Sequence, residues 1–256
     1  MTDTPEAVPS RDRTRLHYET LLAPIYRWML GDFSSAIERS RAELRQLGVG
    51  KAPRGARALD LGAGPGLQTL PLVELGYEVT AVDGSEALLS ELSAACARAR
   101  VIRADLLAAA GFLAGAYDLT VCMGDTLTHL RSEEEVRTLL AAVSAHLAPG
   151  GLLVLAFRDY SRPPPRSTDR FVLVRGDKER ILTCCLDYRA GRVLVTDVVH
   201  ELSPGGWSLR ASEYEKLRLS PSAVASTLSA EGLRVERCES LAGRVAIVAR
   251  RAADRP

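Results

Sequence analysis

Apolar positions recur at helical spacing over 12–30, where Leu16, Leu21, Leu22, Ile25 and Met29 can share one face. They do so again over 33–47 through Ile37, Leu44 and Leu47, with Gly48 placed to end that helix. Short apolar runs then alternate with helical stretches. Strands are expected at 56–61, 77–82, 101–104, 118–122 and 152–157. Between them lie a helix over 66–75, whose Pro71 is close enough to its start to be tolerated, and one running from an N-cap at Ser85 to Arg98. Ser132 and Glu135 have the spacing of a capping box ahead of Val136, Leu139, Leu140, Val143 and Leu147, and Pro149-Gly150-Gly151 should stop that helix. Strands alternating with helices of this length predict a parallel sheet covered on both faces.

The pattern changes after 157. Pro163-Pro164-Pro165 can join neither a helix nor a central strand, so a loop should leave the core there. Four β-like runs follow at 171–175, 181–188, 193–202 and 207–217, joined by turn residues such as Arg189-Ala190-Gly191-Arg192 and Pro204-Gly205-Gly206. Links this short allow only antiparallel neighbours. Ser220-Pro221 then opens a helix, and strands at 233–239 and 244–250 close the chain. No internal repeat is visible.

Composition narrows the function. At 256 residues the chain suits one α/β domain with an elaboration. Lys+Arg 33 against Asp+Glu 32 leaves a net charge of +1 and no basic block, which gives no support to a nucleic-acid partner. No apolar run reaches the roughly 18 residues of a membrane span, and 1–10 has no signal-peptide core, so this stretch is expected to be a disordered tail. Cys96, Cys122, Cys184, Cys185 and Cys238 are odd in number, form no C-x-x-C pair and lie mostly in apolar runs. They read as reduced, buried thiols of a cytoplasmic protein, not as metal ligands.

The stretch 58–66, Ala-Leu-Asp-Leu-Gly-Ala-Gly-Pro-Gly, carries the chemistry. It drives an apolar strand into a turn with Gly62, Gly64 and Gly66 at alternate positions, and a second strand ends at Asp83 about twenty residues on. Glycines let backbone approach a ligand, and an acid at that strand end is placed to accept from ribose hydroxyls. The spacing is tighter than the G-x-G-x-x-G that seats a pyrophosphate, and Asp60 would repel one while suiting an α-ammonium. Aromatic residues make up only 5% of the chain, yet Tyr18, Tyr26 and Trp28 cluster near the N-terminus, either as core or as a cover for the site. Tyr214, Lys216 and Arg218 alternate along one strand face, which reads as solvated.

The motif D-x-G-x-G-x-G resembles motif I of the class I S-adenosylmethionine (SAM) methyltransferases. The order of elements over 55–160 and 220–250 is similar to theirs, with a last strand lying antiparallel, and the layout resembles the small-molecule branch typified by glycine N-methyltransferases. The resemblance implies an α/β fold: a Rossmann-like seven-stranded methyltransferase sheet with N-terminal capping helices (11–50), a SAM-binding core (51–161), an antiparallel β insert serving as substrate lid (162–219) and a C-terminal part of the core (220–256). It implies SAM as cofactor, bound through Asp60, Gly62, Ala63, Gly64, Gly66, Asp83, Gly84, Asp105, Leu106, Met123 and Gly124. Asp105 would hold the adenine amino group, Leu106 would pack the ring, and Met123 and Gly124 would lie beside the sulfonium.

Nucleic-acid amino methyltransferases carry [D/N]-P-P-[Y/F/W] after strand four, where this chain has Met123-Gly124-Asp125-Thr126. A small-molecule acceptor is therefore expected, methylated on N or O, by a monomer or homodimer with no nucleic-acid or membrane partner. His129 and Asp125, four residues apart, are the catalytic candidates. Tyr18, Tyr26, Trp28, Arg158 and Tyr160 are the substrate-contact candidates, with Asp159 beside them. An NAD-dependent oxidoreductase and a non-catalytic SAM-binding regulatory protein are the rival readings.

Overall fold

A computed structural model describes residues 10–108 and 113–253, with side chains from residue 13. The N-terminal tail expected at 1–10 lies, but for Ser10, outside them. The helix expected over 12–30 is broken into α1 (Ser10–His17), a π turn (Tyr18–Leu22), a 3₁₀ turn (Ala23–Ile25) and α2 (Tyr26–Leu30). Pro24 is the reason: it has no N–H to donate and its ring disturbs the preceding turn. Asp32 then caps α3 (Phe33–Gln46) by accepting from the Ser35 N–H at 2.7 Å. Gly48, at φ +88°, closes α3 through bonds from the Gly48 N–H to the Arg45 carbonyl and from Val49 to Leu44, a Schellman ending.

Downstream come β1 (Arg57–Leu61), α4 (Thr69–Glu74), β2 (Glu78–Asp83), α5 (Glu86–Ala95), β3 (Arg100–Arg103), β4 (Tyr117–Cys122), α6 (Glu133–Ala145) and β5 (Leu147–Phe157). With β10 at Leu233–Leu241 and β11 at Arg244–Arg251, the sheet order is β10-β11-β5-β4-β1-β2-β3. β1 to β5 pair parallel, whereas β11 runs antiparallel to both β5 and β10. Both faces are covered, as the continuous apolar strands require. Leu59, Leu61 and Val82 pack with Leu139, Leu140 and Val143 of α6 and with Leu228 of α7 (Pro221–Ala230). Ala58, Val79 and Ala81 face the other way, onto Leu44, Leu72 and Leu92 of α3, α4 and α5.

Two boundaries and one cap differ from expectation. Strand β5 begins at Leu147, because Pro149-Gly150-Gly151 sits in a pairing irregularity of that strand and does not form a loop before it. Helix α5 stops at Ala95, short of Arg98. At α6 the Ser132 hydroxyl accepts from the Glu135 N–H, but the Glu135 carboxylate takes the Arg131 N–H instead of closing on Ser132.

The insert forms a separate four-stranded antiparallel sheet, β6 (Phe171–Gly176), β7 (Arg180–Arg189), β8 (Arg192–Ser203) and β9 (Gly206–Leu217), ordered as in the chain. One face buries Leu182, Leu186, Val195 and Val199, while Phe171, Leu173, Trp207 and Leu209 are exposed. The strand periodicity through Tyr214 and Lys216 is as expected, but their face is not solvated: Tyr214 is 4% and Lys216 6% exposed, turned toward the core domain. The five cysteines are free thiols; Cys238 alone is exposed, and burial pushes the Cys122 thiol up to about 12. No helix among the described residues is long and apolar enough to cross a membrane.

Candidate active site

The parallel strands end together on one edge of the sheet, and a cleft of about 490 Å³ opens there. The turn after β1 forms its floor. Gly62, Gly64 and Gly66 all have positive φ, but for different neighbours. A Cβ on Gly62 would strike the Thr126 side chain and one on Gly66 would meet Leu92 at 2.6 Å, so these two are required by packing inside the protein. A Cβ on Gly64 would find only Leu88 at 3.9 Å; here the backbone borders the cleft itself. The Asp83 carboxylate, at the end of β2, ties this turn to the next by accepting from the Gly64 N–H at 2.9 Å and the Ser85 N–H at 2.8 Å. Burial pushes its pKa up, and the N–H groups of Ser85, Gly64 and Gly84 offset part of that rise. Asp83, Gly84, Asp105 and Leu106 all line the cleft. It continues into a narrower recess lined by Ala63, Pro65, Gln68, Met123, Gly124, Asp125 and Arg244.

Residues 58–151 match a family model described as a methyltransferase domain. A glycine/sarcosine N-methyltransferase of Aphanothece halophytica is 33% identical over 108 residues, which is 41% of this chain and 41% of that protein. A SAM-dependent methyltransferase from Clostridium acetobutylicum superposes with a TM-score of 0.70 over 90% of this chain and 98% of its own, at 17% identity. A SAM-bound amino pentose methyltransferase from Micromonospora echinaspora gives 0.66 over 88% and 92%, at 22% identity. Over 58–151, then, the chain is similar in sequence to methyltransferase domains. It spans about two-fifths of the length of the curated relatives it matches first, and the solved structures speak for the shared fold.

Around the cleft the expected residues divide. Asp60 lies one layer beneath the cleft, 1% exposed, accepting from the Thr69 hydroxyl at 2.6 Å, so it does not present an open carboxylate to an ammonium. Burial pushes it up to about 7, against the hydrogen bond from Thr69. Tyr18 and Tyr26 cover the cleft together with Thr14, Arg15 and Glu19. Trp28 does not: its indole N–H donates to Asp177, and its ring packs against the Arg175 and Arg180 guanidinium groups, pinning α2 to the β6–β7 turn.

Arg158 and Tyr160 also stand away from the cleft. The Arg158 N–H donates to Asp125 at 3.0 Å, and the Tyr160 hydroxyl reaches the same carboxylate at 3.2 Å. Asp159 is exposed and accepts from the Ser161 N–H.

Asp125 and His129 both line the recess, but each bonds to another partner. The segment Thr126–His129 is a 3₁₀ turn, in which positions four apart are not stacked. Asp125 is drawn instead to Lys216 Nζ at 2.5 Å. Burial alone would raise its pKa, but the Lys216 and Arg158 charges outweigh that and hold the carboxyl well below the usual range. His129 Nε2 pairs with the Tyr18 hydroxyl at 3.1 Å, and its Nδ1 is buried without a hydrogen-bond partner. Burial, and then the Lys216 charge, push the imidazole down to about 3.

Sequence reasoning read Lys216 as solvated and did not single out Arg244 or His17. The His17 ring is buried, 3.0 Å from the Asp197 carboxylate of the insert. Nothing local marks Arg244 or His17. Among the described residues no cluster of potential metal ligands occurs.

Proposed function

We propose that the protein is a SAM-dependent methyltransferase that methylates an amine of a small molecule. The observation that carries this reading is the cleft itself: a glycine turn whose backbone is open at Gly64, flanked by Asp83 at the end of β2 and Asp105 after β3. These are the partners a nucleoside requires, with Asp83 retaining acceptor capacity for ribose hydroxyls after its two N–H bonds and Asp105 beside Leu106 at the adenine end. Met123 and Gly124 border the other end. When bound, SAM supplies a methyl group on a positively charged sulfur, open to backside displacement.

The chain's residues position, shield and hold protons. Tyr18 and Tyr26 roof the place where the methyl would lie, and an aromatic face near a cation contributes about 0.5–2 kcal/mol. Burial keeps both phenols protonated, with Tyr26 pushed up to about 12 and Tyr18 raised well above its ordinary range. His129, pushed down to about 3, is a weak proton acceptor at neutral pH. Among the described residues the methyl end therefore offers no strong base. That suits an amine, which needs only to enter as its neutral form and be held in line, better than a hydroxyl, which needs a base. The curated relative that methylates glycine and sarcosine and the solved structure of an amino pentose methyltransferase support an amine acceptor.

Incubation with methyl-labelled SAM and a panel of amino acids and amino sugars, read by mass spectrometry, tests the reading. Labelled N-methyl product is expected. SAM and S-adenosylhomocysteine should raise the melting temperature and NAD should not. Stabilisation by NAD alone would make the protein an oxidoreductase, and binding of SAM without turnover on any acceptor would make it a regulatory protein.

A further inference from the structure

The recess beyond Gly64 has one Lys or Arg side chain in its lining among the described residues, Arg244. It comes from the last hairpin of the sheet, far from any motif. Leu241 pairs with Arg244 across a two-residue turn, Ala242-Gly243, with both central residues at positive φ, +47° and +77°. Ala242 is the one non-glycine residue at positive φ among the described residues. This conformation is unfavourable for an L-residue and persists where surrounding structure enforces it, most often beside functional sites.

Because Val245 pairs with Phe157, Arg244 stands just beyond the end of β5, level with the Met123–Asp125 loop. Its side chain is 18% exposed and is held by one hydrogen bond, Nη2 to Glu43 of α3 at 2.6 Å. That bond orients the guanidinium and leaves its other N–H groups for a ligand. The nearest acid in the lining, Asp125, is already neutralised by Lys216. The recess thus offers a pre-oriented fork to an anion, next to Pro65 and Gln68 at the far end of the glycine turn.

We propose that Arg244 binds the α-carboxylate at the amino-acid end of the cofactor, and that the strained last turn serves to present it. The assignment rests on the reading of the cleft as a SAM site. It is tested with two nucleosides that differ in that end: S-adenosylhomocysteine, which carries the carboxylate, and 5′-methylthioadenosine, which lacks it. Calorimetry on the whole chain should show Arg244→Gln weakening S-adenosylhomocysteine by about 10- to 100-fold, the range of a lost charge-assisted pair, with 5′-methylthioadenosine unchanged. Arg244→Lys should lose less, because the charge stays and only the fork is lost.

Equal weakening of both nucleosides would make Arg244 a structural residue and overturn the proposal. So would unchanged binding of both with a raised KM for the acceptor, which would move the guanidinium to the acceptor's site. If Arg244→Gln does not fold, the Arg244→Lys ratio decides between the same outcomes. A wild-type protein that binds neither nucleoside would instead bring down the SAM reading, and this assignment with it.

Discussion

His129 and Asp60 titrate against each other across one pH window. The His129 imidazole falls from an ordinary value near 6.5 to about 3 in the folded chain. Between those values the unfolded chain holds a proton that the native chain lacks, so stability is lost as pH falls through the window. Asp60 rises from 3.8 to about 7. Over that range the native chain holds the extra proton, and stability is lost as pH rises. Each slope approaches about 1.4 kcal/mol per pH unit at most, and opposite signs make them cancel. The wild-type stability contributed by this pair should therefore be flat between about pH 4.5 and 6. Urea unfolding should show Asp60→Asn gaining stability with rising pH there and His129→Gln losing it; parallel profiles for the two variants would refute the paired shifts. Asp83 makes a separate prediction. Asp83→Ala should weaken SAM by about 2–4 kcal/mol in calorimetry, with Asp83→Asn intermediate because its amide oxygen can still accept one N–H. The place of Asp83 at the cleft was legible in the sequence because it is set by a turn about twenty residues away. The fate of His129 was not, because Tyr18 lies 111 positions from it in the chain.

At the scale of elements, β9 and the loop after β4 are joined by the Lys216–Asp125 pair, whose side chains are 8% and 16% exposed. Removing Lys216 strips the nearest charge from a carboxylate that keeps only Arg158 and the Tyr160 hydroxyl, at a cost of up to about 3–5 kcal/mol, whereas an apolar replacement of both members is close to neutral. Lys216→Met should lower stability by that amount in urea unfolding, and adding Asp125→Leu should recover most of it. Purely additive losses would show that the two charges are not coupled. Such a link can be found from sequence only in half. Alternation along 214–218 gives which side chains share a face, since period two is intrinsic to a strand. It cannot say that the face turns inward, because that depends on where the whole insert docks. Pro24 illustrates the converse. The apolar spacing over 12–30 was helical and remains so, yet one residue without an N–H divided it into four short pieces.

For the whole molecule, a parallel sheet covered on both faces followed from strands alternating with helices, and the antiparallel last strand was implied by the resemblance to the class I methyltransferases. What the succession did not contain is the path of residues 10–30. This segment touches both bodies. It covers the cleft through Thr14, Arg15, Tyr18, Glu19 and Tyr26. It is also fastened to the insert by His17 on Asp197, by Trp28 on Asp177, and by Leu21, Leu22 and Ile25 packed with Leu182 and Val199. A ligand in the cleft therefore contacts the floor of one sheet and a cover anchored on the other. Backbone of low local stability is where ligand binding is read most strongly, and a chain broken into a π turn and a 3₁₀ turn has fewer regular bonds to protect it. Adding S-adenosylhomocysteine should slow amide exchange at 62–66 and 83–85 on the floor and, by a larger factor, at 14–26 in the cover. The exposed stretch 207–211 of β9 should stay unchanged. Protection confined to the floor would mean that the N-terminal segment belongs to the insert alone and leaves the ligand open to solvent, and then Tyr18 and Tyr26 could not roof the methyl group.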